Sequence, residues 1–440
     1  MSFNSLEFLF FLGASLLVFQ AAKKNILFSQ IYITLISFIF YLAGDPSFFP
    51  YLLALGLMNF AFARAIVFLP AQKKILLIII VVVDCAFLLG AKVYGQSSHY
   101  FPLGVSFFTF QILSFILDIY SARIPFPKNI WHFLSYMFFF PHLIAGPICR
   151  AGGLMKQLAT PFGTPSFAQV RSGFYLISFG LLKKAVIADT IASRINEVFH
   201  TPQGTQGILA WGVVIFTYGW QIYFDFSGYS DIARGIGKLF GLDLPLNFSF
   251  PYFSHSLQNF WRRWHMTLSL WFRDFVYLPL GGSKESPLIY VTAILITFLL
   301  SSIWHGLGLN YLIWGLWHAF WLIVFHFSLN NFPIVVKRLI TLFVIFSGWL
   351  FFRSESLDQI QVILGLVFTS PSQTWINSIL IKSDLIFLSA GSLLVEIGAF
   401  QFKKRYQAMS LLKTDAVWLL VTLCSLIFQA PIKEFIYARF

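Results

Sequence analysis

The chain has 440 residues, of which 58% are hydrophobic and 11% charged, and its mean hydropathy is +0.77. A soluble globular protein carries about 25% charged and 45–50% apolar residues, so a water-soluble chain is excluded, because it could not cover its own surface. The net charge of +13 sits mainly in short clusters between apolar runs, the pattern of cytoplasmic loops rather than of a nucleic-acid-binding face.

A membrane-spanning helix needs about 20 mostly apolar residues. By that measure the chain is an all-α, polytopic integral membrane protein of about eleven transmembrane helices, some segments being re-entrant or interfacial. The clearest runs lie near 5–20, 26–44, 51–71, 75–92, 102–120, 131–148, 173–192, 207–225, 288–303, 309–328, 335–352 and 415–430. A weaker run lies near 382–399. The first run lacks a basic segment before it and a small-residue cleavage site after it, so a retained helix is expected rather than a signal peptide. Lys23 and Lys24 follow the first run and Lys73 and Lys74 the third, whereas Gly44-Asp45-Pro46-Ser47 between them has no cation. That alternation puts both lysine pairs in the cytoplasm and the N-terminus outside. Arg64, inside the third run, is expected to face protein interior. Lys403, Lys404 and Arg405 predict a further cytoplasmic loop. No linker, repeat or soluble insertion interrupts the pattern, which predicts one membrane domain over 1–440. Cys85, Cys149 and Cys424 form no CxxC pair, so neither a disulfide framework nor a metal site is expected.

Polar residues at apolar depth are the informative ones, since they face the bundle interior, a water cavity or a substrate path. They concentrate between Phe224 and His318. In 259–280, Trp261, Trp264, Leu268, Trp271, Phe275 and Leu278 recur every three or four residues, which predicts an apolar stripe on one amphipathic helix. Arg262, His265, Ser269 and Arg273 share the opposite side with Asn259, and Arg263 and Asp274 flank that arc. Two readings are open: an interfacial helix bound to lipid phosphates, or a cavity wall whose arginines meet an anionic acyl donor. His305 and His318 sit in strongly apolar surroundings. An intramembrane histidine is a candidate for proton transfer near neutral pH. Thirteen residues of continuous helix would hold the two roughly 20 Å apart, but Gly306, Gly308 and Asn310 could break the helix between them. Asp225 and Asp231 are expected to form ion pairs, with Arg234 or with the arginines of 259–280. A GxSxG elbow, an HExxH pair and a Walker A loop are all absent, which argues against a serine esterase, a zinc protease and an ATP-driven pump.

Taken in order, FPLGVSFFTFQ (101–111), FPHLIAGPI (140–148), GLLKKAVIAD (180–189), FDFSGYSDIA (224–233), NFWRRWHMTLSLWFRDFVYLPLGG (259–282), WHG (304–306) and GLWHA (315–319) resemble the membrane-bound O-acyltransferase family. The branch they resemble contains alginate O-acetyltransferase and the teichoic-acid D-alanyltransferase, and the resemblance covers about 101–320. It implies a ring of helices around a central tunnel. It implies that His305 is the active-site histidine, with His318 as a second catalytic histidine. It also implies that 259–280 lines the reaction chamber, which favours Arg262, Arg263, His265 and Asp274 as substrate-binding residues; Asn259, Arg273 and Trp304 are expected to bind substrate with them.

The chemistry expected is transfer of an acyl group from a thioester to a hydroxyl. His305 would take the hydroxyl proton and return it to the leaving thiolate, with Trp304 and Gly306 positioning the ring. Asn259, Arg263 and backbone amides near Gly306 are the candidate oxyanion donors. No bound cofactor or metal is expected. The implied donor is acetyl-CoA, the alternative being an acyl carrier protein thioester. The implied acceptor is an extracytoplasmic polysaccharide or peptidoglycan, reached with a periplasmic or extracellular acyltransferase partner from the bacterial inner membrane. D-alanyl transfer to teichoic acid is the alternative within the family, and a transporter or flippase is the alternative outside it.

Overall fold

The computed structural model describes residues 3, 5–98, 100–163, 165–283, 286–329, 332–369, 383–405, 421–422 and 425. Among them the structure is helical, with no strand. Two compact units form. The first comprises the described residues up to Leu181 with Gly228–Leu246, and the second comprises Leu182–Ser227 with the described residues from Asn247 onward.

The first unit opens with α1 (Leu6–Ala22) and α2 (Ile26–Leu42), capped by side chains that accept from free backbone amides: Ser5 from Phe8, and Asn25 from Leu27 and Phe28. α3 (Phe49–Phe68), α4 (Lys73–Ser98) and α5 (Val105–Tyr120) pack against one another. The polar tie between α3 and α4 is buried: Asn59 Nδ2 donates to Asp84 Oδ1 at 2.7 Å. Arg64, expected to face inward, is exposed, with its guanidinium over the ring of Phe68.

The run near 131–148 does not form one span. It breaks into α6 (Ile130–Met137), the single turn α7 (Phe140–Leu143) and an extended stretch, yet almost all of it is buried. Pro141 and Pro147 lack the amide a helix needs, and a β-carbon at Gly146 would collide with the backbone of His142. Irregular backbone at membrane depth persists only where protein supplies its hydrogen bonds. Here Gln111 donates to the Tyr136 carbonyl at 3.1 Å, Tyr136 Oη to the Cys149 carbonyl at 2.9 Å, and the Phe140 amide to Ser37 Oγ at 3.1 Å.

α8 (Ala151–Leu158) and α9 (Phe167–Leu181) follow, and α9 meets the last turns of α11 (Ile208–Leu239) at two glycine pairs. A β-carbon on Gly173 would stand 2.9 Å from the Gly235 carbonyl oxygen, and one on Gly180 would stand 2.6 Å from that of Gly228. Small residues let helix backbones approach this closely in a membrane protein. Gly180→Val should therefore destabilise the fold by about 1–3 kcal/mol through overpacking. A lowered unfolding midpoint of the detergent-solubilised protein is the expected result, and an unchanged midpoint would contradict the close approach.

The second unit holds the π-helical stretch Leu182–Ala188, α10 (Asp189–His200), the first part of α11, the short helices α12 (Leu257–Trp261) and α13 (Met266–Phe272), and a π-helical turn Arg273–Tyr277. α14 (Pro287–His305) starts at Ser286, whose side chain accepts from the Ile289 amide. α15 (Leu309–Phe327) and α16 (Ile334–Arg353) pack onto it in series. α17 (Leu357–Phe368) and α18 (Ser383–Arg405) complete the described part. The low hydropathy of 382–399 has a structural cause. Ser389 and Glu396 of α18 hydrogen-bond to Thr217 and Tyr223 of α11, both at 2.6 Å. Lys403, Lys404 and Arg405, expected in a loop, continue this helix.

Among the described residues, four segments are long and apolar enough to cross a bilayer: Phe49–Phe68, Pro70–Ser98, Pro287–His305 and Ile334–Arg353. α1, α2, α5 and α17 are apolar but shorter. The span expected near 415–430 lies almost wholly outside the described residues.

Candidate active site

The segment 259–280, expected as one amphipathic helix, is broken in two. Ser256 caps α12 by accepting from the Asn259 amide at 3.2 Å, and the helix ends at Trp261. His265 then adopts left-handed backbone geometry, with φ of 38°. The cause lies outside the segment. The Ser249 amide donates to the Arg263 carbonyl at 3.0 Å, and the Met266 amide donates to the Asn247 carbonyl at 2.9 Å. Thr267 Oγ1 donates to the buried Asn247 side chain at 2.7 Å. These bonds replace those that would continue the helix. The Trp and Arg faces predicted to oppose one another consequently line one cavity together.

That cavity has a volume of about 410 Å³. Its first wall is 258–277, contributing Trp261, Arg262, Trp264, His265, Ser269 and Arg273 among others. Its second wall is one face of α14: Tyr290, Ile294, Thr297, Phe298, Ser301 and His305. These recur at helical spacing from the first turn to the last, so the wall runs about 22 Å at 1.5 Å per residue. Leu322 and His326 of α15 close it, with His326 stacked on Tyr290 at a ring separation of 4.1 Å. The α14 stripe carries a polar member at 290, 297, 301 and 305 within an otherwise apolar helix. That spacing was readable in the sequence, since polar residues on an apolar helix favour a face turned to protein or a cavity.

His305 is the last residue of α14, 4% exposed. Gly306 ends the helix in extended geometry, its amide bonded to the Ser302 carbonyl at 2.9 Å. A β-carbon at Gly306 would run into the Tyr311 ring. The imidazole meets three aromatic rings nearly at right angles: Trp304 at 4.7 Å, Trp314 at 5.0 Å and Phe352 at 5.1 Å. Such edge-to-face contacts hold ring orientation beyond what burial alone does. His265, 2% exposed, packs against Phe226 at 4.5 Å and against Trp304 at 5.9 Å. Trp304 thus touches both histidines.

Of the residues singled out in the sequence, the cavity brings together Arg262, His265, Arg273 and His305. Asn259, Arg263, Asp274, Trp304 and His318 are not part of its lining. Arg263 donates to the Ser249 carbonyl at 3.4 Å, and Asp274 is paired with Arg273 at 2.7 Å. His318 lies one layer behind the wall, against Trp261 and Trp314. Asp231 pairs with Arg234 at 3.5 Å. Asp225, expected to meet an arginine, instead shares Lys184 with Asp189, at 2.5 and 2.8 Å. All three side chains of this cluster are buried, and Lys184 belongs to the π-helical stretch after α9.

A family model described as MBOAT, membrane-bound O-acyltransferase family, matches residues 127–352, a stretch that contains both cavity walls. A protein of Pseudomonas fluorescens named "Probable alginate O-acetylase" is 33% identical over 418 residues, covering 91% of this chain and 82% of the relative. The peptidoglycan O-acetyltransferase of Helicobacter pylori is 34% identical over 424 residues, covering 83% of this chain and 79% of the relative. The teichoic acid D-alanyltransferase of Bacillus subtilis is 29% identical over 235 residues, covering 51% of this chain and 59% of the relative.

Proposed function

This chain belongs to the membrane-bound O-acyltransferase family, and from that premise we propose that it transfers acetyl groups to hydroxyls of an extracytoplasmic polysaccharide or peptidoglycan, with His305 as general base. The chain is an integral membrane acyltransferase. The acetyl group and the acceptor class follow the two relatives that match most of the chain, whereas the D-alanyltransferase matches about half of it. The donor in this reading is acetyl-CoA, with an acyl carrier protein thioester as the alternative.

The observation that carries the reading is the position of His305. It ends a polar stripe on an apolar helix and is held by aromatic rings at the wall of a cavity. A substrate hydroxyl attacks the thioester carbonyl while His305 takes its proton. The tetrahedral intermediate expels the thiolate, which recovers that proton, so the step is balanced without a further acid or base. Of the candidate oxyanion donors, Asn259 and Arg263 lie off the cavity wall, and the Gly306 amide is bonded to Ser302. Arg262 takes that role here, or, with Arg273, neutralises the donor's phosphates. Both arginines are exposed members of the cavity wall. In this reading the protein sits in the bacterial inner membrane. A periplasmic or extracellular acyltransferase partner completes delivery to the polymer.

The test compares wild type with His305→Ala at matched expression and membrane insertion. Cells are fed a radiolabelled acetyl precursor and label on isolated envelope glycans is counted. Label that appears with wild type and vanishes with the variant is the expected result. Label from D-alanine but not from acetyl would replace the acetyl assignment with the D-alanyl one. Equal acetyl label from both strains would remove His305 from the chemistry.

A further inference from the structure

His318 is 1% exposed, absent from the cavity lining and without a hydrogen-bond partner at either ring nitrogen. Trp261, Trp314 and Phe298 surround it, at ring separations of 5.1, 5.2 and 6.2 Å. A buried imidazole with both polar atoms unmet is costly, so the ring needs a reason to be there. A further neighbour is Gly348 of α16. A β-carbon built on Gly348 would stand 2.7 Å from Nε2 and 3.3 Å from Cε1 of His318. α16 therefore passes the ring with only a glycine's clearance. Beside this contact, Trp317 Nε1 donates to the Val344 carbonyl at 3.0 Å, tying the same two helices together.

One helical turn from the contact in the same direction, α15 presents Trp314 and α16 presents Phe352. Their rings are 5.4 Å apart, and both close on His305, at 5.0 and 5.1 Å. We infer that His318 against Gly348 is a spacer that sets the separation of α15 and α16, and with it the aromatic clamp on His305. His318 is then a positioning residue acting through Trp314 and Phe352, and no proton passes through it. A larger group at 348 drives α16 outward and opens the clamp, whereas a smaller one at 318 makes room for it.

This rests on His305 as the base, so His305→Ala is assayed alongside. The variants are Gly348→Ala, His318→Ala, the double variant and His318→Asn, each in the full-length purified protein. The donor is radiolabelled acetyl-CoA. Gly348→Ala should lower kcat by about tenfold or more, as small misplacements of a reacting group do, with donor KM within about twofold of wild type. The double variant should be no worse than His318→Ala alone, since the added methyl occupies vacated space and neighbouring substitutions couple. His318→Asn should leave the shape of the kcat/KM pH profile unchanged. Losses that multiply in the double variant, or a pH limb that disappears with His318→Asn, would overturn the spacer. The Asn profile still decides if Gly348→Ala does not assemble. Activity retained by His305→Ala would remove the base assignment while leaving the helix-spacing result to stand on the double variant.

Discussion

His305→Gln should lower kcat by about 10²–10⁴-fold, the range that a positioned general base contributes. Glutamine approximates the length of histidine and keeps a polar end, but it cannot accept a proton at neutral pH. The three rings around the site are supplied by Trp304, Trp314 and Phe352 and remain in place. In the proposed reading the donor meets the cavity wall as a whole, so donor KM should change little and the loss should fall on the chemical step. Single-turnover transfer by the purified protein reads that step directly. A rate within threefold of wild type would mean that the hydroxyl proton goes elsewhere.

The second large effect is on stability. Lys184→Ala should cost about 3–5 kcal/mol, the cost of removing one partner from a buried ion cluster. Lys184 holds Asp189 and Asp225 at 2.8 and 2.5 Å, and all three side chains are at most 10% exposed. Without the ammonium, two carboxylates face each other in an apolar interior. Thermal unfolding in detergent should show the midpoint of Lys184→Ala well below that of wild type. Adding Asp225→Asn should restore part of the loss, because it removes one of the stranded charges. A loss below about 1 kcal/mol, the level of an exposed pair, would show that water reaches the cluster.

Much of this was legible in the sequence, and the parts that were not share a cause. Membrane character needs only composition and run length. His305 stands out because an ionisable side chain in an apolar helix is rare. Periodicity could not reveal the break at His265, because the groups that stop the helix are Asn247 and Ser249, outside the repeating pattern. Nor could it pair Asp225 with Lys184, which is 41 residues away. The run at 131–148 reads as a span because hydropathy counts side chains, whereas its backbone is broken by Pro141, Gly146 and Pro147 and bonded by other helices. The stripe on α14 shows the reverse: Tyr290, Thr297, Ser301 and His305 mark the cavity face by local spacing alone.

The broken segment from α6 to Cys149 also constrains how the protein is made. Its hydrophobicity is enough to leave the translocation machinery for lipid, but its backbone is not ready to be there. Two of the bonds it needs come from Ser37 on α2 and Gln111 on α5, both synthesised earlier. Those helices must already be assembled when the segment emerges, or its amides and carbonyls would enter hydrocarbon unmet. The N-terminal helices are therefore expected to act as an intramolecular chaperone for the segment. A chain lacking α2 would present this segment to the cell's quality control as an insertion failure, even with every residue of the cavity intact.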